Sequence, residues 1–279
     1  MFNHQAQQGF LTLAIGADYL RMAYAQALSV KTAMPDALYA VAVDAETKLL
    51  ITDKHMTVFD YVVDVPEFNN PMQAEPELFW VTPFKETIKL EADLLIPRNI
   101  NHWWTALRHR ELVISTNCRD YRGNIVVDTT YRRLWADNNL PNVYNGLMYF
   151  RFTRENLEFF MLARDIFANW DAIKEELKNC RDDAPETDQV YALAASIHGV
   201  ERSTMPSLDF FTMTHMKPHI QGWPYDTVWP TAVITEVYDS VIRINNVEQL
   251  YPFHYHEKDW LTEDIINTYE SIRSLRRIS

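Results

Sequence analysis

A chain of 279 residues, 47% hydrophobic and 23% charged, has room for one large α/β domain or two small ones, and its composition excludes disorder. It contains no apolar run of roughly eighteen residues, and Met1–Gly9 lacks the basic flank and apolar stretch of a signal peptide, so a cytoplasmic protein without a membrane span is expected. The net charge of −12 disfavours generic attraction to phosphate polymers, and the two cysteines, Cys118 and Cys180, read as a reduced pair.

Along the chain, Phe10–Ile15 is an apolar run closed by Gly16 and followed by Asp18, the pattern of a buried strand opening into a loop. Tyr19–Lys31 follows as a helix, with Leu20, Ala23, Tyr24, Ala27 and Leu28 on one face. Leu38–Val43 reads as a second buried strand, Lys48–His55 as a connecting helix and Phe59–Val65 as a third strand. This alternation favours a parallel sheet wound with helices. Prolines and paired asparagines make Pro66–Pro76 a loop, Thr82–Thr87 suits a helical turn, and Ile88–Ile96 suits the next strand. Asn101–Leu107 fits a short helix, and Glu111–Ser115 and Asn124–Asp128 flank Arg122-Gly123 as a hairpin. Val143–Phe152 reads as a strand, Thr153–Asn179 as a long helix begun by Thr153, and Asp188–His198 as a further helix. The aromatic, Met- and Pro-rich stretch Glu201–Thr235 gives no clear assignment, and the last predicted helix is Thr262–Ile278. Without a repeat or linker, a single domain is expected.

Glu91 and Asp93 are the most informative pair. On an extended chain, acids separated by one residue point to the same face. Like charges among Ile88, Leu90, Leu94, Leu95 and Ile96 need neutralising, and oxygen ligands suit Mg²⁺ or Mn²⁺. A surface strand end would carry the same pattern. His254 and His256 form a second cluster; in an extended chain they share a face, and either could complete a carboxylate metal site. Lys258 beside them could contact a phosphate, although a polar surface loop would read the same way. Lys85 and Lys89 are further phosphate candidates and read as solvated. Between Arg98 and Arg154, nine arginines stand against four acids, a local positive excess in an acidic chain. This asymmetry fits either a face for an anionic acceptor or pairing with acids elsewhere.

The order of these features resembles the glycogenin and galactinol-synthase type of retaining glycosyltransferase, over most of residues 10–262. Phe10–Lys31, with Gly16-Ala-Asp-Tyr19, resembles the family's first strand, uracil-binding loop and first helix, and Tyr39–Val65 its next two strands. Lys89–Asn101 resembles the DxD strand and the Asn-Ile that follows, Tyr144–Tyr149 the Asn-rich strand facing the donor sugar, and Asp188-Gln189 an Asp-Gln pair near the reacting sugar. His254–Trp260 resembles the closing His-aromatic, Lys and Trp motif. Departures are Glu91 in place of the first Asp, a shorter closing motif, missing glycines around Asp188-Gln189, and the basic segment Arg98–Arg133, which has no counterpart.

The resemblance implies an α/β, GT-A-like (Rossmann-like) mixed sheet flanked by helices in one domain, with a nucleotide-binding half at 10–100, an acceptor half and closing motif at 101–262, and a C-terminal helix at 262–279. It implies a hexosyl- or pentosyltransferase that uses a UDP-sugar and Mn²⁺ or Mg²⁺ with retention. Glu91, Asp93 and His254 or His256 would bind metal; Gly16, Asp18, Tyr19 and Lys258 would bind the nucleotide; Asp188 and Asn145 would hold the sugar, with Lys258 assisting departure of the phosphate. The acceptor is open between a glycan, protein or polyol and a hydroxylated DNA base gripped through Arg98–Arg133, with Trp103, Trp104, Tyr121, Tyr131 and Trp135 interleaved. A nucleotidyltransferase of the same fold would start with a Gly-rich phosphate loop, which Gly16-Ala-Asp-Tyr19 is not. A non-catalytic binding module is the remaining alternative.

Overall fold

The computed structural model describes residues 6–126 and 132–278. Its strands are β1 (Ala6–Leu13), β2 (Tyr39–Val43), β3 (Tyr61–Asp64), β4 (Phe84–Leu90), β5 (Leu94–Leu95), β6 (Leu112–Ser115), β7 (Cys118–Arg119), β8 (Ile125–Val126), β9 (Tyr144–Arg151), β10 (Thr214–His215), β11 (Thr235–Tyr238), β12 (Val241–Ile244), β13 (Val247–Glu248) and β14 (Phe253–His254). Four helices matter most for the site: α1 (Ala17–Ala33), α2 (Arg154–Ala168), α3 (Thr187–His198) and α4 (Glu263–Ile278).

The main sheet has the order β3-β2-β1-β4-β9-β6. Its first four strands are parallel, whereas β9 runs antiparallel to both β4 and β6. Parallel strands are covered on both faces, and alternate residues divide accordingly. Phe10, Tyr39, Val41 and Tyr149 join one core; Leu11, Ala40, Ala42 and Met148 join the other. The parallel arrangement read from the strand–helix alternation holds for β1–β4, and the antiparallel β9 makes the sheet mixed, as the resemblance implied.

A second sheet of short strands has the order β5-β14-β10-β7-β8, and β11-β12-β13 forms an antiparallel third. In the second sheet His254 pairs opposite Leu94 and beside His215. This register brings the closing segment to the Glu91–Asp93 turn. The helix α4 anchors that segment: Ile266 and Tyr269 are buried, Tyr24 donates to Glu270 (2.9 Å), and Arg21 donates to the Leu261 carbonyl (2.7 Å).

Several expected elements change. Lys48–His55 is not one helix but two short ones, Ala45–Lys48, capped by Asp44 accepting from the Thr47 N–H (2.8 Å), and Asp53–Met56. Thr82–Thr87 is no helical turn, since Phe84 to Thr87 open β4. Thr153–Asn179 breaks at Asn169 into α2 and Trp170–Glu176, because Asn169 leaves helical geometry at φ −113° and ψ 22°. The hairpin at Arg122-Gly123 exists, but β7 and β8 form it, while β6 pairs with β9; part of the expected second arm, residues 127–128, lies outside the described residues. No helix among the described residues is long and apolar enough to cross a membrane.

Candidate active site

β4 ends at Leu90, and Glu91–Asp93 is a turn rather than extended strand: the Leu94 N–H donates to the Glu91 carbonyl (3.2 Å). The period-two argument therefore fails for these acids. What holds the turn is Gln26, a fully buried amide on α1 that donates to the carbonyls of Glu91 (2.5 Å) and Leu94 (2.8 Å). Tyr39 and Thr12 hydroxyls donate in turn to its side-chain oxygen.

The two histidines do not share an extended face either. His254 ends β14, whereas His256 sits at φ 61°, and the Glu257 N–H closes back on the Tyr255 carbonyl (2.6 Å). A non-glycine residue in the left-handed region costs about 1–3 kcal/mol, strain that gathers at functional sites. The turn swings the His256 ring back toward the acids. Ligand atoms of Asp93, His254 and His256 consequently lie within 4.8 Å of one another, the spacing of a metal centre. His254 Nε2 lies 3.0 Å from Asp93 Oδ1 and 3.5 Å from Glu91 Oε2. Its Nδ1 is buried without a hydrogen-bond partner among the described residues, so Nε2 is the nitrogen turned to the site. Both histidines left as rivals by the sequence join the group. Glu91 stands at its edge, against Gly146, where an added Cβ would come within 2.8 Å of Glu91 Oε2.

Charge follows this geometry. Burial pushes His254 down, but the Asp93 carboxylate, through charge and hydrogen bond, and Glu91 together raise it above the ordinary histidine value. Burial pushes Asp93 up, and the charge and hydrogen bond of His254 outweigh it, leaving Asp93 low. Burial wins at Glu91, which is raised. His256 is held at about 4 by burial and then by Lys217 and His254. His215, stacked flat on His254 at 4.3 Å, is pushed well down by burial and then by His254.

Glu91, Asp93, His254 and His256 line a cavity of about 470 Å³, within the size range of small-molecule sites. Leu13, Ile15, Tyr19, Met72, Glu75, Lys217 and Lys258 complete much of its wall. A smaller cavity of about 180 Å³ shares Met72, Glu91, Thr187, Lys217 and His254 with it and adds Asp188, Tyr144 and His215. Lys258 Nζ donates to the Tyr19 hydroxyl (2.7 Å) and lies 4.0 Å from the ring centroid, so these two expected nucleotide contacts are in each other's company. Gly16, at φ 88°, donates its N–H to Thr47 (2.6 Å), and Asp18 is an exposed residue of the first turn of α1 that lines neither cavity.

By sequence no family model matches the chain, and the search of curated proteins finds no significant match. Among solved structures, it is similar to the galactosyltransferase LgtC in complex with donor and acceptor sugar analogues, with TM-score 0.54, 13% identity, and 96% of this chain and 94% of that one covered. The fold is GT-A. Mouse xyloside xylosyltransferase 1 (TM-score 0.44, 9% identity, 69% of this chain and 82% of that one) and the glycosyltransferase GlyE of Streptococcus pneumoniae TIGR4 (TM-score 0.44, 11%, 72% and 45%) score lower, and the fold assignment rests on the first.

Within the GT-A frame the remaining expected residues separate. Asp188 reaches the smaller cavity with its carboxylate engaged, pairing with Arg132 and accepting the Asn145 N–H (2.6 Å). Asn145 has no exposed surface and lines neither cavity; its side chain donates to Glu75 (3.4 Å) from behind. Lys89 is not solvated but wholly buried, paired with Glu75 at 2.8 Å. In the arginine segment, Arg119 is buried and donates to the carbonyls of Gly123 and Asp209, Arg110 caps carbonyls of Glu201 and Thr204, and Arg151 pairs with Glu111. Trp103, Trp104, Tyr121 and Trp135 are buried; Tyr131 lies outside the described residues. Sequence reasoning missed Glu75, His215 and Lys217. A polar triplet, Thr214-His215 and Lys217, inside the unassigned apolar stretch was the available signal for the last two.

Proposed function

We propose that this chain is a metal-dependent glycosyltransferase that moves a hexosyl or pentosyl group from a nucleotide-sugar donor, UDP-sugars foremost, to a hydroxyl acceptor with retention. The observation that carries the reading is the meeting of Asp93 with His254 and His256, distant along the chain, in a cavity that also holds Lys258 and Tyr19. The cavity lies where β1 and β4 end, and open α/β sheets bind ligands beyond the carboxyl ends of their strands. Retention and the glycogenin and galactinol-synthase subtype are supported by motif order alone.

Asp93, His254 and His256 would hold the divalent ion, with Glu91 as a second carboxylate beside them. One carboxylate with two imidazoles favours Mn²⁺ over Mg²⁺, which prefers an all-oxygen shell. Such an ion supplies Lewis-acid neutralisation of a diphosphate leaving group. Lys258, steered by Tyr19, adds positive charge where that leaving group develops negative charge. Tyr19 and Ile15 offer aromatic and apolar surface to the base, while Gly16 and Asp18, which line neither cavity, have no contact with it in this arrangement. Asp188, oriented by Arg132 and Asn145, lies on the sugar side. The preferred acceptor is a glycan, protein or polyol rather than a DNA base, because Trp103, Trp104, Tyr121 and Trp135 between the arginines are buried. Thermal-shift screening of nucleotide sugars with and without Mn²⁺ tests the reading: one donor stabilises the protein with metal and not without it. Indifference to every nucleotide sugar in the presence of Mn²⁺ would remove it.

A further inference from the structure

We infer that Glu75 reads hydroxyls of the donor's sugar and makes the site one for a neutral sugar rather than a uronic acid; this rests on the nucleotide-sugar reading above. Glu75 follows the short helical turn Pro71–Ala74, and its carboxylate, although nine-tenths buried, lines the larger cavity. Its two oxygens differ. Oε2 faces inward, taking Lys89 Nζ at 2.8 Å and Asn145 Nδ2 at 3.4 Å. Lys89 cannot turn elsewhere, since it has no exposed surface and donates as well to the Asn145 carbonyl (3.0 Å). Oε1 has no donor among the described residues and is not sealed from the cavity.

A buried acid is expensive unless paired, and the lysine beneath supplies the pairing. The result is a carboxylate that only accepts hydrogen bonds, with one oxygen turned to the cavity. Such a group calls for a donor on the ligand. The cavity wall divides by chemistry: Leu13, Ile15 and Tyr19 suit a base, Asp93 with the two histidines and Lys217, whose charge bears on both of them, suits the diphosphate, and Glu75 and Glu91 remain for the sugar. Sugar hydroxyls satisfy both acids. A uronate would set its negative charge against the Glu75 carboxylate, whose one lysine is already engaged beneath it.

The test measures binding by calorimetry with Mn²⁺, using UDP, UDP-glucose, UDP-galactose, UDP-xylose and UDP-glucuronate. In wild type, at least one neutral UDP-sugar binds and UDP-glucuronate binds more weakly than it. Glu75→Gln weakens that neutral donor roughly 10- to 100-fold, the scale of one lost charge-assisted hydrogen bond, and changes UDP less than about twofold. Because Glu75→Gln disturbs Lys89, the pair Glu75→Leu with Lys89→Met is measured too; an apolar pair of similar volume keeps the fold and shows the same selective loss. Equal losses for UDP and UDP-sugar, no loss in either variant, or UDP-glucuronate binding as tightly as the neutral sugars would overturn the role of Glu75. Failure of UDP itself to bind wild type would instead overturn the nucleotide-sugar reading.

Discussion

Asp93 and His254 show how one contact sets the charge of both partners. Asp93 is held low and His254 high, each chiefly against its own burial, whereas His256 stays neutral down to about 4. A metal ion competes with the proton on His254 and finds none on His256 in the neutral range. Lowering the pH through the raised value of His254 therefore weakens metal binding, and Mn²⁺ binding releases a proton from His254, in a fraction that grows as the pH falls, and none from His256 near neutral pH. Calorimetry in buffers of different ionisation enthalpy counts it; two protons released near neutral pH, or none as the pH falls, would contradict this charge assignment. The residue types were legible in the sequence, but their geometry was not. Both pairs were expected to share a face through two-residue spacing, and both do so through turns, at Ala92 and at the left-handed His256.

At the scale of elements, the site depends on α1, whose buried Gln26 clamps the turn between β4 and β5. Gln26→Leu leaves two carbonyls and the hydroxyls of Thr12 and Tyr39 short of a partner; with each orphan costing about 1–3 kcal/mol, a total loss of about 2–4 kcal/mol is expected after partial relaxation. Urea unfolding reads the stability, and Mn²⁺ titration of the folded variant reads a weaker site. Unchanged stability and unchanged Mn²⁺ affinity would show that the turn holds itself. Gln26 was invisible in the sequence because a lone amide on a helical face looks like a surface residue; only the approach of β5 shows what it binds. Helices and strands with strong periodicity, such as α1, α3, α4 and β9, were readable nearly to their ends. The short elements, where tertiary hydrogen bonds replace local preference, were not.

At the scale of the molecule, the mixed sheet places the strand ends, and the second sheet returns the closing segment to them. The charge asymmetry that suggested a phosphate-binding face is only partly internal: Arg119 and Arg132 are buried and Arg151 is paired with Glu111, whereas Arg98, Arg108, Arg122, Arg133 and Arg154 are exposed. With a net charge of −12 in addition, no binding to duplex or single-stranded DNA is expected even at about 20 mM salt, where backbone contacts are strongest. Fluorescence anisotropy checks this, and affinity falling steeply with salt would restore the DNA acceptor. Pairing across a fold cannot be read from local composition, which is why the sequence left this feature open between an anionic acceptor and internal pairing.

The central claim is that Asp93, His254 and His256 form one metal centre. Anomalous diffraction from crystals grown with Mn²⁺ and UDP tests it most directly. The account predicts a single manganese peak within about 2.0–2.5 Å of a carboxylate oxygen of Asp93 and a ring nitrogen of each histidine, absent in Asp93→Ala crystals treated identically. Manganese bound elsewhere, or a peak that survives Asp93→Ala in place, would contradict it.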